Sequence, residues 1–361
     1  MEFHRLTEDE ARIICSWKYE GAYAVYDSAP YEDQKRAGRG FANPRNNLFA
    51  FRDEGRLIGY INLFEEEDKV FFGIGVAPDC CGLGYGQKMA AVAPVIAKGL
   101  FGAKPLYLEV RAWNARAIRC YEKAGFRPDG VQFTQTTPAG QGVFIRMVLD
   151  TPDPFWQDSW KRFGADRTAA FYKAFDDAPD EITGYLNAQG ADKVCDAGCG
   201  CGAYARRLFA LGFSVSGFDL SPDAVSLAQA LLAENGFPAE DFRAADLSYT
   251  GFPDECFDAV IARDVLDHVS LLCGQRAVRE LLRIVRPGGS VLLCLDFPDN
   301  EYESEPHAVG SDGDYVFTEG KWRGMVFHPY TPEAVASLFP GCTMQLLDES
   351  EEGFSAAFVK P

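Results

Sequence analysis

No run of about 18 apolar residues occurs in the 361-residue chain, so no helical membrane span is expected. The opening residues MEFHRLTEDEARIICSW lack a basic start followed by an apolar stretch, so a signal peptide is not expected either. Internal repeats and low-complexity tracts are missing. A basic excess is missing too, since the formal net charge is −18. That charge is unevenly placed, with 19 Lys+Arg against 19 Asp+Glu in residues 1–150 and 16 against 34 in residues 151–361. A surface of this sign repels phosphate backbones, which argues against nucleic acid as a partner, above all for the second half. The eleven cysteines are odd in number and scattered through apolar runs. Without an export signal they read as reduced thiols of a cytoplasmic protein. The densest group, Cys195, Cys199 and Cys201, has no paired C-x-x-C spacing and no neighbouring histidine, so no metal site is expected there.

What is there has the balance of a soluble globular protein, 47% hydrophobic and 24% charged, with length enough for two domains. VFIRMVLD (143–150) reads as a strand, and Pro152 and Pro154 follow at once. Proline removes a donor and disfavours helix before it. The boundary is therefore expected at about residue 150, giving domains 1–150 and 151–361. The polar stretch DNEYESEPHAVGSDGDYVFTEG (299–320) reads as a long loop or insertion.

In the first half, RLIGYINLFEEEDKVFFGIGVAP reads as two strands around an acidic turn, followed by the loop DCCGLGYG and a helix. A strand, a glycine loop and a helix start bring free backbone N–H groups and the positive helix end together, which suits a pyrophosphate. Gly82, Gly84 and Gly86 permit close approach. Their G-x-G-x-G spacing is not the dinucleotide fingerprint, and alone the loop also reads as a plain turn. A strand LYLEV and a helix WNARAIRCYEKAGF, ending at Gly125, follow.

Val76, Pro78, Cys81, Gly84 and Gly86, followed by LEVRAWNARAIRCYEKAGF, resemble the GNAT family of N-acetyltransferases over most of residues 40–150. The second motif is most similar to the ribosomal-protein alanine N-acetyltransferases. The resemblance implies acetyl-CoA held by Val76, Cys81, Gly82, Gly84, Tyr85, Gly86 and Asn114. It also implies Tyr121 as the acid that protonates the departing thiolate and Glu109 as the base that takes the acceptor's proton, often through water. Cys81 departs from the family's Arg or Gln at that place. On the residues alone, Glu109 equally reads as a partner of Arg111, and Tyr121 as a core aromatic. The aromatic segment SWKYEGAYAVYDSAPYED (16–33) falls where the family builds its acceptor site, and reads equally as ordinary packing.

In the second half, ADKVCDAGCGCGAYARRLFALGFSVSGFDLSPDAVSLAQALL alternates strand, glycine loop, helix, strand and helix, the start of a parallel sheet. Ser221 and Pro222 suit the N-cap and first position of the last helix. Asp219 ends the second strand about 20 residues after the loop, where an acid can accept ribose hydroxyls. The D-x-G-x-G-x-G motif (Asp196, Gly198, Gly200, Gly202) resembles the class I S-adenosylmethionine-dependent methyltransferases, and the resemblance continues over most of residues 190–297. It implies S-adenosylmethionine held by Asp196, Gly198, Cys199, Gly200, Gly202, Asp219, Leu220, Asp246, Leu247 and Arg263, with the cysteines as bystanders. NAD is the competing ligand of such a sheet. Asp264 and His268 after the fourth strand are candidates for the acceptor side, joined by Trp322, His328 and Tyr330 from residues 319–339. His268 alternatively faces solvent. Residues 155–172 are expected to form a lid helix.

The expected fold class is two-domain α/β: a mixed α/β GNAT domain, then a Rossmann-like class I methyltransferase domain with a mainly parallel sheet. The expected function is a bifunctional group transferase, acetylating a small-molecule amine or peptide and methylating a small-molecule acceptor, with no membrane partner. Two alternatives stay open. One half could be a non-catalytic, cofactor-sensing or regulatory module. The chain could also be a protein N-terminal acetyltransferase of the ribosomal type with an accessory methyltransferase.

Overall fold

In the computed structural model, which describes residues 1–150, 155–163 and 180–361, the chain separates into two compact units. The first comprises Met1–Asp153 and Glu305–Gly324, the second Pro154–Ser304 and Met325–Pro361. Residues 305–324, assigned by composition to the second domain, are thus part of the first, because strands within them pair with its sheet.

In the first unit β1 (Glu2–Arg5), β2 (Asn47–Asp53), β3 (Arg56–Glu65) and β4 (Val70–Val76) are successive antiparallel neighbours. Next to β4, and parallel to it, lies β5 (Leu106–Arg111). Then come β6 (Arg127–Pro128) and β7 (Phe133–Thr137), both antiparallel to β8 (Gly140–Leu149), which itself pairs with β5. Helix α1 (Glu8–Ser16) opens with a Thr7–Glu10 capping box, which satisfies two end N–H groups reciprocally. Helix α2 (Tyr31–Ala37) ends at Gly38 in the left-handed region. Helices α3 (Tyr85–Phe101) and α4 (Ala115–Lys123) follow β4 and β5. The two-residue period of the strands assigns their faces. Val70, Phe72, Leu106, Leu108 and Val110 pack with Met89, Val92 and Ile96 of α3. Phe71, Tyr107, Glu109 and Arg111 take the opposite face, where the Phe71 and Tyr107 rings meet edge to face.

The second unit carries a parallel sheet of β9 (Lys193–Ala197), β10 (Ser214–Asp219), β11 (Phe242–Ala244), β12 (Phe257–Arg263) and β13 (Val285–Asp296), in the order β11-β10-β9-β12-β13. Its helices include α5 (Glu181–Gln189), α6 (Ala203–Ala210), α7 (Pro222–Glu234) and α8 (Leu271–Ile284). Ser221 caps α7 by accepting the Ala224 N–H, with Pro222 at the first position. The strand order reverses between β9 and β12, the switch point where open α/β sheets bind ligands. The fifth strand already begins at Val285, ahead of the Pro-Gly-Gly turn. Val285 pairs with Phe257 and Ser290 with Ala259, so the surplus residues bulge within the strand.

The expected loop at 299–320 contains two strands, β14 (His307–Gly310) and β15 (Tyr315–Phe317), forming a hairpin. β14 runs parallel to β1, with Glu2 opposite Val309. Ala308 and Val316 enter the core of the first unit beside Phe3. Acidic flanks hid this short alternating pattern from composition. After the short β16 (Val326–Phe327), β17 (Thr343–Glu349) and β18 (Gly353–Val359) complete the second sheet as an antiparallel pair, β18 lying against β13. No helix among the described residues is long and apolar enough to cross a membrane.

Candidate functional sites

The first site begins where β4 and β5 part. They pair only at Val70–Leu106 and Phe71–Tyr107. A cleft of about 490 Å³ reaches Gly73–Val76 on one side and Leu108–Arg111 on the other. Gly82, Gly84 and Gly86 line it from the loop. Gly84, at φ 88°, is the N-cap of α3, a backbone conformation that side chains with a Cβ adopt with strain. Among the described residues, the amides of Gly82, Gly84, Tyr85 and Gly86 donate to no backbone carbonyl. They are the orphan donors of a helix start, and they suit an anion. The Tyr85 side chain plays no part, since its hydroxyl donates to Asp53 Oδ2 at 2.6 Å.

Tyr121 projects from α4 into this cleft. Its ring meets Phe72 and Phe126 edge to face, and burial pushes its phenol well above the usual value. The group therefore holds its proton, as a donor to a thiolate must. Glu109 also lines the cleft, but its partner is Arg146, opposite it on β8, with Nη2 at 2.8 Å from Oε1. Arg111 turns instead to Thr137 Oγ1. Cross-strand register, invisible in a linear reading, decides this pairing. Asn114 is buried as the N-cap of α4. Its Oδ1 accepts the Ala117 N–H and its Nδ2 donates to the Tyr26 hydroxyl. The Val76 carbonyl, expected to face a cofactor arm, accepts the Tyr19 hydroxyl at 2.8 Å. Cys81 lies half-buried beside it, its thiol 3.8 Å from the same carbonyl. Tyr19, Tyr26 and Tyr60 also line the cleft, and no sequence motif assigns them an individual role. The aromatic richness of residues 16–33 signals Tyr19 and Tyr26, and nothing local signals Tyr60, which β3 carries.

The second site sits at the switch point. Asp196 is the penultimate residue of β9, just ahead of the loop, and Asp219 ends β10. Asp219 braces the loop: its Oδ2 accepts the Gly200 N–H at 3.0 Å, and its Oδ1 accepts the Ser221 N–H at 2.8 Å. Gly198 and Cys199 both donate to the Phe218 carbonyl. Asp196 is buried, its Oδ2 without a hydrogen-bond partner. Burial, and then the charge of Asp219, push its pKa up to about 7. An orphaned buried carboxylate oxygen fits a ligand that brings positive charge, as the sulfonium and ammonium of S-adenosylmethionine would. Leu220 is half-buried between Asp219 and the cap of α7. After β11, Asp246 Oδ1 accepts the Ser248 N–H and hydroxyl, and Leu247 packs against the core. Arg263 lies over the Tyr204 ring and reaches the Cys294 thiol. Cys199 and Cys201 are buried, which pushes both thiols up, away from the thiolate a metal would need. Among the described residues no three His, Cys, Asp or Glu side chains converge as metal ligands.

Of the expected acceptor residues, Asp264, His268, His328 and Tyr330 belong to the second unit and Trp322 to the first. Trp322 packs against Phe317 in the first unit. Composition placed it with the second because the hairpin's destination is set by non-local pairing. His328 and Tyr330 are buried core residues, edge to face at 4.4 Å. His268 does not face solvent. It sits among Trp156 and Phe327, and burial lowers its pKa. Asp264, with φ 52°, turns the chain directly after β12. Of the expected lid, residues 155–163 are helical, and residues 164–172 lie outside the described residues.

Residues 11–126 match the acetyltransferase (GNAT) family, and residues 195–293 match a methyltransferase domain. The chain is 37% identical over 96 residues to the ubiquinone biosynthesis O-methyltransferase of Methylobacterium nodulans, covering 27% of this chain and 37% of that protein. It is 32% identical over 124 residues to the malonyl-[acyl-carrier protein] O-methyltransferase of Erwinia billingiae, covering 34% and 47%. It thus spans between a third and a half of the length of these curated relatives. Among solved structures, a spermidine N-acetyltransferase chimera of Vibrio cholerae SpeG and hSSAT is 20% identical, with a TM-score of 0.34, covering 42% of this chain and 96% of that one. The chain accordingly joins an acetyltransferase domain of the GNAT family to an S-adenosylmethionine-dependent methyltransferase domain of the class I type.

Proposed function

We propose that the protein is a two-site group transferase. The first unit moves an acetyl group from acetyl-CoA to an amine, and the second moves a methyl group from S-adenosylmethionine to a small-molecule acceptor. The observation that carries the first half is the cleft between β4 and β5, with unpaired loop amides at one end and a protonated Tyr121 within it. Bound acetyl-CoA would supply an activated acyl group, its pyrophosphate held by the amides of Gly82, Gly84, Tyr85 and Gly86. Tyr121 holds a proton at its hydroxyl for the leaving sulfur. Glu109 gives one oxygen to Arg146 and keeps lone pairs to accept the amine's proton through water.

The observation that supports the second half is Asp196 with its orphaned oxygen beside the braced loop. Bound S-adenosylmethionine would supply an activated methyl group, so the chain's task is positioning. Asp219 fixes the loop, Asp196 takes positive charge, and Asp246 is left for the adenine side. The two acceptor classes and the cytoplasmic setting belong to the same proposal.

Calorimetric titration of the full chain with acetyl-CoA and, separately, with S-adenosylmethionine tests it. Two binding events are expected, the first abolished only by Gly84→Trp and the second only by Asp219→Ala. Absence of S-adenosylmethionine binding to folded protein would remove the methyltransferase half and bring forward NAD or a scaffold role.

A further inference from the structure

One charged group of the first cleft has no role in the transfer just described. Arg111 is 7% exposed, yet it lines the cleft. It ends β5 two residues after Glu109, so both side chains lie on the face away from α3. Glu109 is committed to Arg146. Among the described residues the Arg111 side chain makes one hydrogen bond, Nη2 to Thr137 Oγ1 at 3.3 Å, and lays its guanidinium over the Phe144 ring at 5.0 Å. No carboxylate of the described chain pairs with it. The space it fills is kept open by Gly142, where a Cβ would stand 2.2 Å from Nη1. Buried cations ordinarily carry an anionic partner. The other cations lining the cleft, Arg116, Arg119 and Lys123, are exposed on α4. The desolvation that calls for a partner falls on Arg111.

We infer that Arg111 receives a carboxylate of the acetyl acceptor, which is therefore an amine carrying a carboxylate a few bonds from its nitrogen, an amino-acid-type molecule. The inference rests on acetyl transfer as the activity of the first unit. Side chains two apart on a strand stand roughly 6.6 Å apart. An amine directed at Glu109 and a carboxylate directed at Arg111 thus belong to one small molecule. A guanidinium fork is also the group best shaped for a carboxylate. A polypeptide N-terminus carries an amide where this acceptor carries its charge, so it leaves Arg111 unanswered.

The test is calorimetric titration of the full chain, saturated with CoA, with a panel of L-amino acids, β-alanine and the matching carboxamides. Acetylation of the same panel is measured in parallel. At least one acid is expected to bind, and to be acetylated, about a hundredfold better than its own amide, because a site built for a group rejects the analogue lacking it. Arg111→Met should bring that ratio to about one, and Arg111→Lys should keep part of it. Acetyl-CoA affinity should stay within about twofold of wild type in both variants, which also reports that they fold. Equal handling of acids and amides, or a preference that survives Arg111→Met, overturns the inference while leaving acetyl transfer intact. Loss of acetyl-CoA affinity in Arg111→Met without loss of acid preference assigns Arg111 to the cofactor and also overturns it. Arg111-dependent binding of an acid with no acetylation supports the site and rejects acetyl transfer. Neither binding nor acetylation of any panel member overturns the inference.

Discussion

In the loop ahead of α3 the amides of Gly82, Gly84, Tyr85 and Gly86 donate to no backbone carbonyl among the described residues, and a Cβ added at Gly82 or Gly84 would meet nothing within 4 Å. In the loop ahead of α6 the amides are engaged: Gly198 with the Phe218 carbonyl, Gly200 with Asp219, and Gly202 with the Cys199 carbonyl. Added Cβ atoms there would stand 2.4 Å from Val265, 2.8 Å from Trp160 and 2.9 Å from Ala228. The first loop presents donors to an anion. The second is a packed floor whose free polar atom is an acceptor, Asp196 Oδ2. Two stretches alike in composition therefore have opposite electrostatic characters, and the first is open where the second is filled.

If that contrast is right, changes in the first site should injure chemistry and changes in the second should injure folding. The largest effect is expected for Tyr121→Phe, which should lower acetyl transfer about 10²–10⁴-fold. Its hydroxyl makes no hydrogen bond among the described residues, so thermal stability should move by no more than about 0.5 kcal/mol. A large drop in melting temperature would make Tyr121 a core residue after all. Gly202→Ala comes next. A φ of 79° and a Cβ only 3.0 Å from the Ala228 backbone should destabilise the second unit by about 2–4 kcal/mol, read by denaturant unfolding. A near-wild-type unfolding curve would break the comparison.

The pH dependence is smaller but diagnostic. Asp196 binds its proton more tightly folded, at about 7, than at its ordinary 3.8. Between those values the folded state holds more protons than the unfolded state. Its contribution therefore falls as pH rises from about 4 to about 7, by at most about 1.4 kcal/mol per pH unit. Asp196→Asn should flatten the unfolding free energy across that window, and an unchanged slope would mean that the oxygen is not orphaned. Of the two glycine substitutions, Gly84→Ala is expected to have the smaller effect on stability. It should cost about 1–2 kcal/mol from φ alone, with acetyl-CoA affinity reduced and S-adenosylmethionine affinity untouched.

The elements around both loops were legible in the sequence because their signals are local. Gly84 and Gly202 start helices at positive φ, Ser221 and Pro222 open α7, and Gly125 follows the end of α4 at φ 94°. What escaped depends on residues distant in the chain. Glu109 finds Arg146 through strand register. His268 is enclosed by a ring more than 100 residues earlier, Trp156, and by one downstream, Phe327. Trp322 follows a hairpin whose partner is residue 2. No window of sequence contains both halves of any of these contacts.

The hairpin also sets a clock on synthesis. β1 and β2 leave the ribosome within the first 53 residues, but β14 and β15, ending at Phe317, are made far later. At typical elongation rates that interval is roughly 13–53 s. During it β1 is an unpaired edge, a template for pairing with other chains, and Phe3 lacks Ala308 and Val316 beside it in the core. A nascent chain stalled or truncated near residue 300 would hold every residue of the acetyl site and still release an acetyltransferase with an open flank, prone to join its neighbours on the polysome.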